Sequence, residues 1–295
     1  MKTKSFFYPL ISLKEVPKEN LAFIACPICG SKENRVIKKN NGWPIVSCQG
    51  CSFKFSNIRV KEKIINSYYK NRQKNYNNGI NPNHLLFAGK RVFFETILKQ
   101  MSKNFKKENS GVNFIEIGSG NGEFINFLNK ETLWKVRGYE PCSDIKKKNI
   151  ITADFLDAHI KSNSVDIIFS ASVLEHIYRP VDLFRKSYDA LKRGGIFIST
   201  GIPNYKSLAN HLKFKNFQSD CPPTHVNFFD RYSLIILLQK TGFKNIEIKT
   251  YGLTNKVAKK KIKNKLNPIF EFYLSNILRI PHFGLGDKLF FKARK

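Results

Sequence analysis

From about residue 84 onward, apolar and polar positions alternate between two periods, one of helix and one of strand. LLFAGKRVFFETILKQM (85–101) repeats its apolar residues at helical spacing and predicts an amphipathic helix. VNFIEIG (112–118) is an apolar run of strand length that enters the glycine-rich turn GSGNG (118–122), after which GEFINFLNK starts a helix. Further strands are predicted at WKVRGYE (134–140), NIITADF (149–155), SVDIIFSAS (164–172) and GGIFIST (194–200), the last preceded by a helix over VDLFRKSYDALKR. RYSLIILLQKTGF (231–243) reads as a helix closed by Gly242, NIEIKTYG as a sixth strand and DKLFFKARK (287–295) as a seventh. This alternation predicts an α/β fold, a doubly wound, mostly parallel seven-stranded sheet whose ligand crevice lies beyond the carboxyl ends of the strands. Between the last two strands, 253–286 is basic (KVAKKKIKNK) and then apolar-periodic (IFEFYLSNILRI). It reads as a helical insertion that either packs over the crevice mouth or lies on a membrane surface.

The first quarter of the chain has a different grammar. There are two C-x-x-C pairs, Cys26 and Cys29 in CPICG and Cys48 and Cys51 in CQGC, with the segment 30–47 between them. Each pair can present two thiolates to one ion, and together they complete a tetrahedral sulfur shell. The spacing resembles a zinc ribbon, with a hairpin between the pairs (strands at 35–38 and 43–47, turn at Asn40, Asn41 and Gly42). Two disulfides or a dithiol redox centre are the competing readings, disfavoured by a cytosolic setting and by the matched pairs respectively. Four sulfur ligands leave no open position, so the resemblance implies a structural Zn2+. Cys142 and Cys221 have no partner at metal spacing and read as small buried apolar residues. The expected division is an N-terminal segment with the ribbon (1–60), a helical lead-in (61–110) and a main domain (111–295) carrying the insertion at 253–286.

Composition changes this picture little. At 295 residues and 42% hydrophobic, the chain can bury a full core. No apolar run approaches the roughly 18 residues of a membrane span. The N-terminal SFFYPLISL follows Lys2 and Lys4 but is broken by Pro9 and lacks a small-residue cleavage site, so a cytoplasmic location is expected. Charge is the unusual feature: 51 Lys and Arg against 22 Asp and Glu leave +29. The excess lies before residue 111 and after residue 252, where it either draws an anionic partner or reflects compositional drift toward Lys and Asn.

The chemistry centres on FIEIGSGNGEF. Its glycines let a turn pass close beneath a ligand at a helix start, and Glu116 is delivered by the strand before them. Glu140 stands at the end of the second strand, at the distance past Gly122 where a carboxylate can accept from both hydroxyls of a ribose. Asp154 follows the third strand. Taken one at a time, Glu116 could cap the turn and Asp154 a helix. Taken in order, these positions resemble the class I S-adenosylmethionine-dependent methyltransferases of the small-molecule branch, with a Rossmann-like fold. SVDIIFSASVLEHI, VDLFRKSYDALKRGGIFISTGIPN and THVNFFDRYSLIILLQKTGF are similar to later segments of that family, so the resemblance covers roughly residues 84–252 plus the last strand. It implies S-adenosyl-L-methionine as cofactor, with Glu116, Gly118, Gly120 and Gly122 around its methionyl end, Glu140 on the ribose, and Asp154 with Phe155 on the adenine.

Such a reaction needs alignment of the acceptor more than anything else, and a base only where the acceptor is a hydroxyl or carbon acid. His176 in LEHI, His225 in THVNFF and Tyr205 in IPNYKS are the catalytic candidates, with Asn204 a further substrate contact. The resemblance also implies that Glu175 beside His176 could contribute to a divalent-metal site, as in relatives that methylate catechol-like hydroxyls, but no third ligand is evident. A zinc ribbon ahead of such a domain is similar to the arrangement in sugar methyltransferases acting on nucleotide-linked sugars, without the additional C-terminal domain of the larger ones. The expectation is O- or C-methylation of a small molecule or glycan precursor. RNA methylation and a non-catalytic cofactor-binding module are the alternatives. Peripheral membrane contact is compatible with the basic flanks, and oligomeric state does not follow from the sequence.

Overall fold

The computed structural model describes residues 11–67, 69, 84–142, 147–211, 221–252 and 286–295. The expected insertion at 253–286 thus lies outside the described residues, apart from Gly286. The chain begins with short strands β1 (Leu21–Phe23), β2 (Asn34–Asn40), β3 (Trp43–Cys48), β4 (Lys54–Phe55) and β5 (Ile58–Val60). The hairpin between β2 and β3 turns on Asn41 (φ 48°) and Gly42 (φ 83°), the two consecutive left-handed residues that a tight two-residue connection demands. β3 is buried at Trp43, Ile45, Val46 and Cys48, whereas β2 is largely exposed.

Next come α1, described at residues 62–67 and 69, and α2 (His84–Ser102). The main sheet is then built from β6 (Asn113–Ile117), α3 (Glu123–Glu131), β7 (Lys135–Tyr139), β8 (Ile150–Ile151), β9 (Val165–Ala171), α4 (Pro180–Ala190) and β10 (Leu191–Pro203). α5 (Leu208–His211), β11 (Asn227–Phe228), α6 (Arg231–Lys240), β12 (Lys244–Tyr251) and β13 (Lys288–Arg294) complete the chain. Seven strands pair in the order β12-β13-β10-β9-β6-β7-β8, all parallel except β13, which runs antiparallel to both neighbours. This is the doubly wound, mostly parallel seven-stranded sheet that the sequence predicts. Strand alternation splits the core into two layers. Phe114 faces Leu98, Phe124, Leu128 and Trp134 on one side, while Ile115 and Ile117 face Leu183, Phe184 and Leu234 on the other. α4 ends at Ala190 rather than at residue 193 as the pattern suggested, because Leu191 already pairs with Val165.

The N-terminal strands are stitched into this body. β11, from far along the chain, pairs with β4, so the small sheet runs β11-β4-β3-β2. Arg59 is the fastener. It is 1% exposed, and its guanidinium donates to the carbonyls of Ser56 (3.0 Å), Tyr178 (3.1 Å) and Val226 (3.2 Å) and to Asn227 Oδ1 (3.0 Å). Tyr178 returns a bond from its hydroxyl to the Val60 carbonyl at 2.6 Å, and its ring lies 5.3 Å from the guanidinium carbon.

Candidate functional site

The four N-terminal cysteines converge. Cys26 Sγ lies 3.6 Å from Cys51 Sγ and Cys29 Sγ 3.4 Å from Cys48 Sγ, with all four sulfurs within 4.8 Å of one another. Tetrahedral zinc with bonds of about 2.3 Å sets its sulfurs about 3.8 Å apart, so the cluster is at ligand spacing. Both pairs sit in matching loops. Gly30 N donates to Cys26 O at 2.9 Å and Ser52 N to Cys48 O at 3.0 Å, and Gly30 and Ser52 are both left-handed. Burial pushes the Cys51 thiol up to about 11 and the Cys26 thiol up as well. Thiolates so placed need a shared cation, which this donor set fits as a structural zinc site. Lys240 ties the first loop to α6 through a 2.6 Å bond to the Ile28 carbonyl.

At the carboxyl ends of β6, β7 and β9 lies a cavity of about 400 Å³. Its floor is the glycine turn. Gly118 (φ 70°) packs so closely under Val173 that a Cβ would stand 2.5 Å from Val173 Cγ2. Gly120 (φ 52°) has nothing within 4 Å of where its Cβ would be, which leaves that side of the turn open. Gly122 is the N-cap of α3 and does not line the cavity. Glu140 does line it. Its Oε2 accepts from Gly120 N at 2.9 Å and its Oε1 from Cys142 N at 3.1 Å, while burial raises its carboxyl above the usual range. Asp154 and Phe155 form the neighbouring wall, Asp154 Oδ1 accepting from Leu156 N at 2.8 Å.

Glu116 is set behind this wall, next in sequence to cavity-lining Ile117 and Gly118. It is buried, its Oε2 has no hydrogen-bond partner, and burial followed by the nearby Glu140 charge pushes its carboxyl well up. His176 lines the far end of the cavity, and the His225 ring meets it edge-on at 4.8 Å. The structure therefore brings together two of the three catalytic candidates. Tyr205 is not among the cavity-lining residues; its ring packs 6.0 Å from that of Phe228. Asn204 is buried, donating to the Gly286 carbonyl at 2.7 Å and accepting from Lys206 N at 3.1 Å.

Sequence reasoning missed one wall. Glu62, Ile65, Asn66 and Tyr69 of α1 face the cavity, so the segment after the ribbon contributes to the site. Their i, i+3, i+4, i+7 spacing was the available signal. Cys142, expected to be a small buried residue, is buried and also lines the cavity.

The methyltransferase-domain family model matches residues 89–248. No curated protein matches the chain. Among solved structures, an S-adenosylmethionine-dependent methyltransferase from Archaeoglobus fulgidus is similar at 20% identity over 70% of this chain and 94% of its own (TM-score 0.49). One from Thermotoga maritima is similar at 20% identity over 71% and 92% (TM-score 0.48). Phosphoethanolamine N-methyltransferase 2 from Haemonchus contortus, solved with S-adenosyl-L-methionine, is similar at 19% identity over 68% of this chain and 52% of its own (TM-score 0.47).

Proposed function

This chain belongs to the methyltransferase-domain family as an S-adenosylmethionine-dependent methyltransferase, and from that premise we propose that it methylates a small molecule or glycan precursor at oxygen or carbon. One observation carries the proposal: a single cavity runs from the glycine turn, Glu140 and Asp154 to His176, so that cofactor contacts and an acid–base group share one space. The residues fit the cofactor. The open side of Gly120 leaves room for a ligand against the turn, and the Glu140 carboxylate stands beside it on the cavity wall. S-adenosylmethionine supplies an electrophilic methyl group on a sulfonium. In this reading Glu140 receives the ribose hydroxyls through the lone pairs its two backbone donors leave over. Asp154 and Phe155 hold the adenine, and Gly118 and Gly120 hold the methionyl end, with Glu116 and Gly122 supporting the turn from behind. His225 or His176 accepts the acceptor's proton, and Tyr205 is kept as an outlying substrate contact.

No helix among the described residues is long and apolar enough to cross a membrane. We read the basic flanks as compatible with an anionic, nucleotide-linked acceptor. The test is purified chain with isotopically labelled cofactor in a cell extract. A low-mass metabolite gaining one methyl supports the reading, label in RNA supports the RNA alternative, and cofactor binding without any product supports a non-catalytic module.

Two variants probe the cofactor assignments. Glu140→Ala is expected to weaken cofactor binding at least about tenfold by calorimetry, as loss of charge-assisted hydrogen bonds implies. Unchanged affinity removes the ribose role. Glu116→Gln is expected to raise the melting temperature at neutral pH while lowering cofactor affinity. Because the folded-state pKa of Glu116 is raised, the folded chain loses stability as pH climbs from the unfolded value, about 4.3, through the folded one. The gain from glutamine should therefore vanish below about pH 4. A gain that persists there contradicts the electrostatic origin.

A further inference from the structure

A lysine stands on the core-facing stripe of α4. Leu183, Ser187 and Ala190 are buried at helical spacing, and Lys186 lies half-buried within that stripe. Its Nζ donates to the Leu156 carbonyl at 2.6 Å and to the Ala158 carbonyl at 2.5 Å, and lies 5.6 Å from the centroid of the Phe155 ring. All three contacts fall on one loop, 154–158, which forms part of the cavity wall through Asp154, Phe155 and Leu156. Lys186 itself is not among the cavity-lining residues. We propose that Lys186 is a positioning residue for the cofactor: it clamps the loop 154–158 from outside the cavity and so fixes the wall against which the adenine is read.

Peptide geometry shows how the clamp works. A trans peptide plane points its carbonyl and its N–H in opposite directions. The Leu156 carbonyl goes to Lys186, and the N–H of the same plane, on Asp157, returns to the Asp154 carbonyl at 3.1 Å. Ala158 N reaches that same carbonyl at 3.0 Å, and Leu156 N donates to Asp154 Oδ1 at 2.8 Å. The loop is thus a turn wound around Asp154, with two of its carbonyls converging on one ammonium. The bond from Leu156 N uses one oxygen of the Asp154 carboxylate and leaves the other for a ligand.

The magnitudes favour Lys186 as the tether. Arg179 Nη2 approaches Asp157 Oδ1 at 3.6 Å, but both side chains are exposed, and such a pair contributes little. The bonds from Lys186 are charge-assisted and partly shielded from water. Burial pulls the ammonium pKa down, and the charges of Asp157 and Asp154 act against that pull. Phe155 is held between this cation and the Tyr139 ring, which it meets edge-on at 5.9 Å. With the ammonium gone, the Leu156 plane is free to turn and Asp154 no longer meets the base at a fixed place. Selectivity should suffer, because a site built to bond a polar group rejects an analogue lacking it only while its own partner stays fixed. This inference rests on the reading that Asp154 and Phe155 hold the adenine.

The test is calorimetry on the full chain with S-adenosylhomocysteine and S-inosylhomocysteine, whose purine carries oxygen in place of the adenine amino group. The parent is expected to prefer the adenosyl ligand by about tenfold or more, the order of one hydrogen bond to a charged group. In Lys186→Met the adenosyl affinity should fall about tenfold and the preference should shrink to about threefold or less. Lys186→Gln, whose shorter amide cannot bridge both carbonyls, should move the same way, and it carries the test if the methionine variant does not fold. An equal loss for both ligands, which preserves the parental preference, marks a merely structural lysine and overturns the proposal, as does unchanged affinity. Asp154→Asn separates premise from inference. A parent without the preference, or an Asp154→Asn variant that keeps it, removes the adenine reading and the clamp with it. If Asp154→Asn loses the preference while both lysine variants keep it, the reading stands and the clamp alone fails.

Discussion

Replacing Arg59 by methionine is expected to destabilise the folded chain by about 3–5 kcal/mol, the range for removing one partner from a buried charged network. The guanidinium serves three carbonyls and one side-chain amide oxygen, all reached from a position with almost no solvent access. Methionine fills much of the volume but removes these bonds; the Val226 carbonyl keeps its bond from Ser56 N at 3.0 Å, and each acceptor left orphaned costs about 1–3 kcal/mol. The charge itself offsets part of this. Burial pulls the Arg59 pKa down to about 10, so hiding the cation is itself expensive. Lysine should not rescue, because one ammonium cannot reach acceptors spread across a planar fork. Urea unfolding of Arg59→Met and Arg59→Lys decides the matter, and a loss under about 1 kcal/mol would show that the fastener is dispensable. Cofactor affinity should fall in parallel, since α1 closely follows Arg59 and forms one wall of the cavity.

Cys48→Ser is expected to have the larger local effect. Metal binding in small sulfur-ligated modules contributes about 10–16 kcal/mol of apparent free energy, more than a domain's usual net stability. The variant should lose its zinc, about one ion per chain in the parent, and hydrogen exchange should show β2 and β3 unprotected while β6 and β9 stay protected. Chelation of the parent should reproduce the pattern. A variant that retains zinc, or one that keeps protection in β3 without it, would falsify the structural role of the metal.

Much of this was legible in the sequence because it is local. Strand-length apolar runs, a turn dense in glycine and paired cysteines each announce themselves within a short stretch of chain. What escaped was long-range. β11 is too short to show a period, and its partner β4 belongs to the N-terminal strands. Arg59 reads as a surface charge until the carbonyls around it are placed. His176 and His225 are both legible as catalytic candidates, but their meeting depends on the bonds from 226 and 227 to the turn at 174–177. Tyr205 was placed by motif position, and its ring went to Phe228.

The placement of β11 ties two inventories that boundaries drawn on the sequence would keep apart. His225, Val226 and Asn227 are consecutive: the first packs its ring against the cavity-lining His176, the last extends the sheet that the cysteines organise. An ion that never meets the acceptor therefore sets where an imidazole stands. Chimeras that trade the segment 1–60 between relatives should bind nucleoside normally and turn over poorly, and a cell short of zinc should lose this activity before it loses the protein.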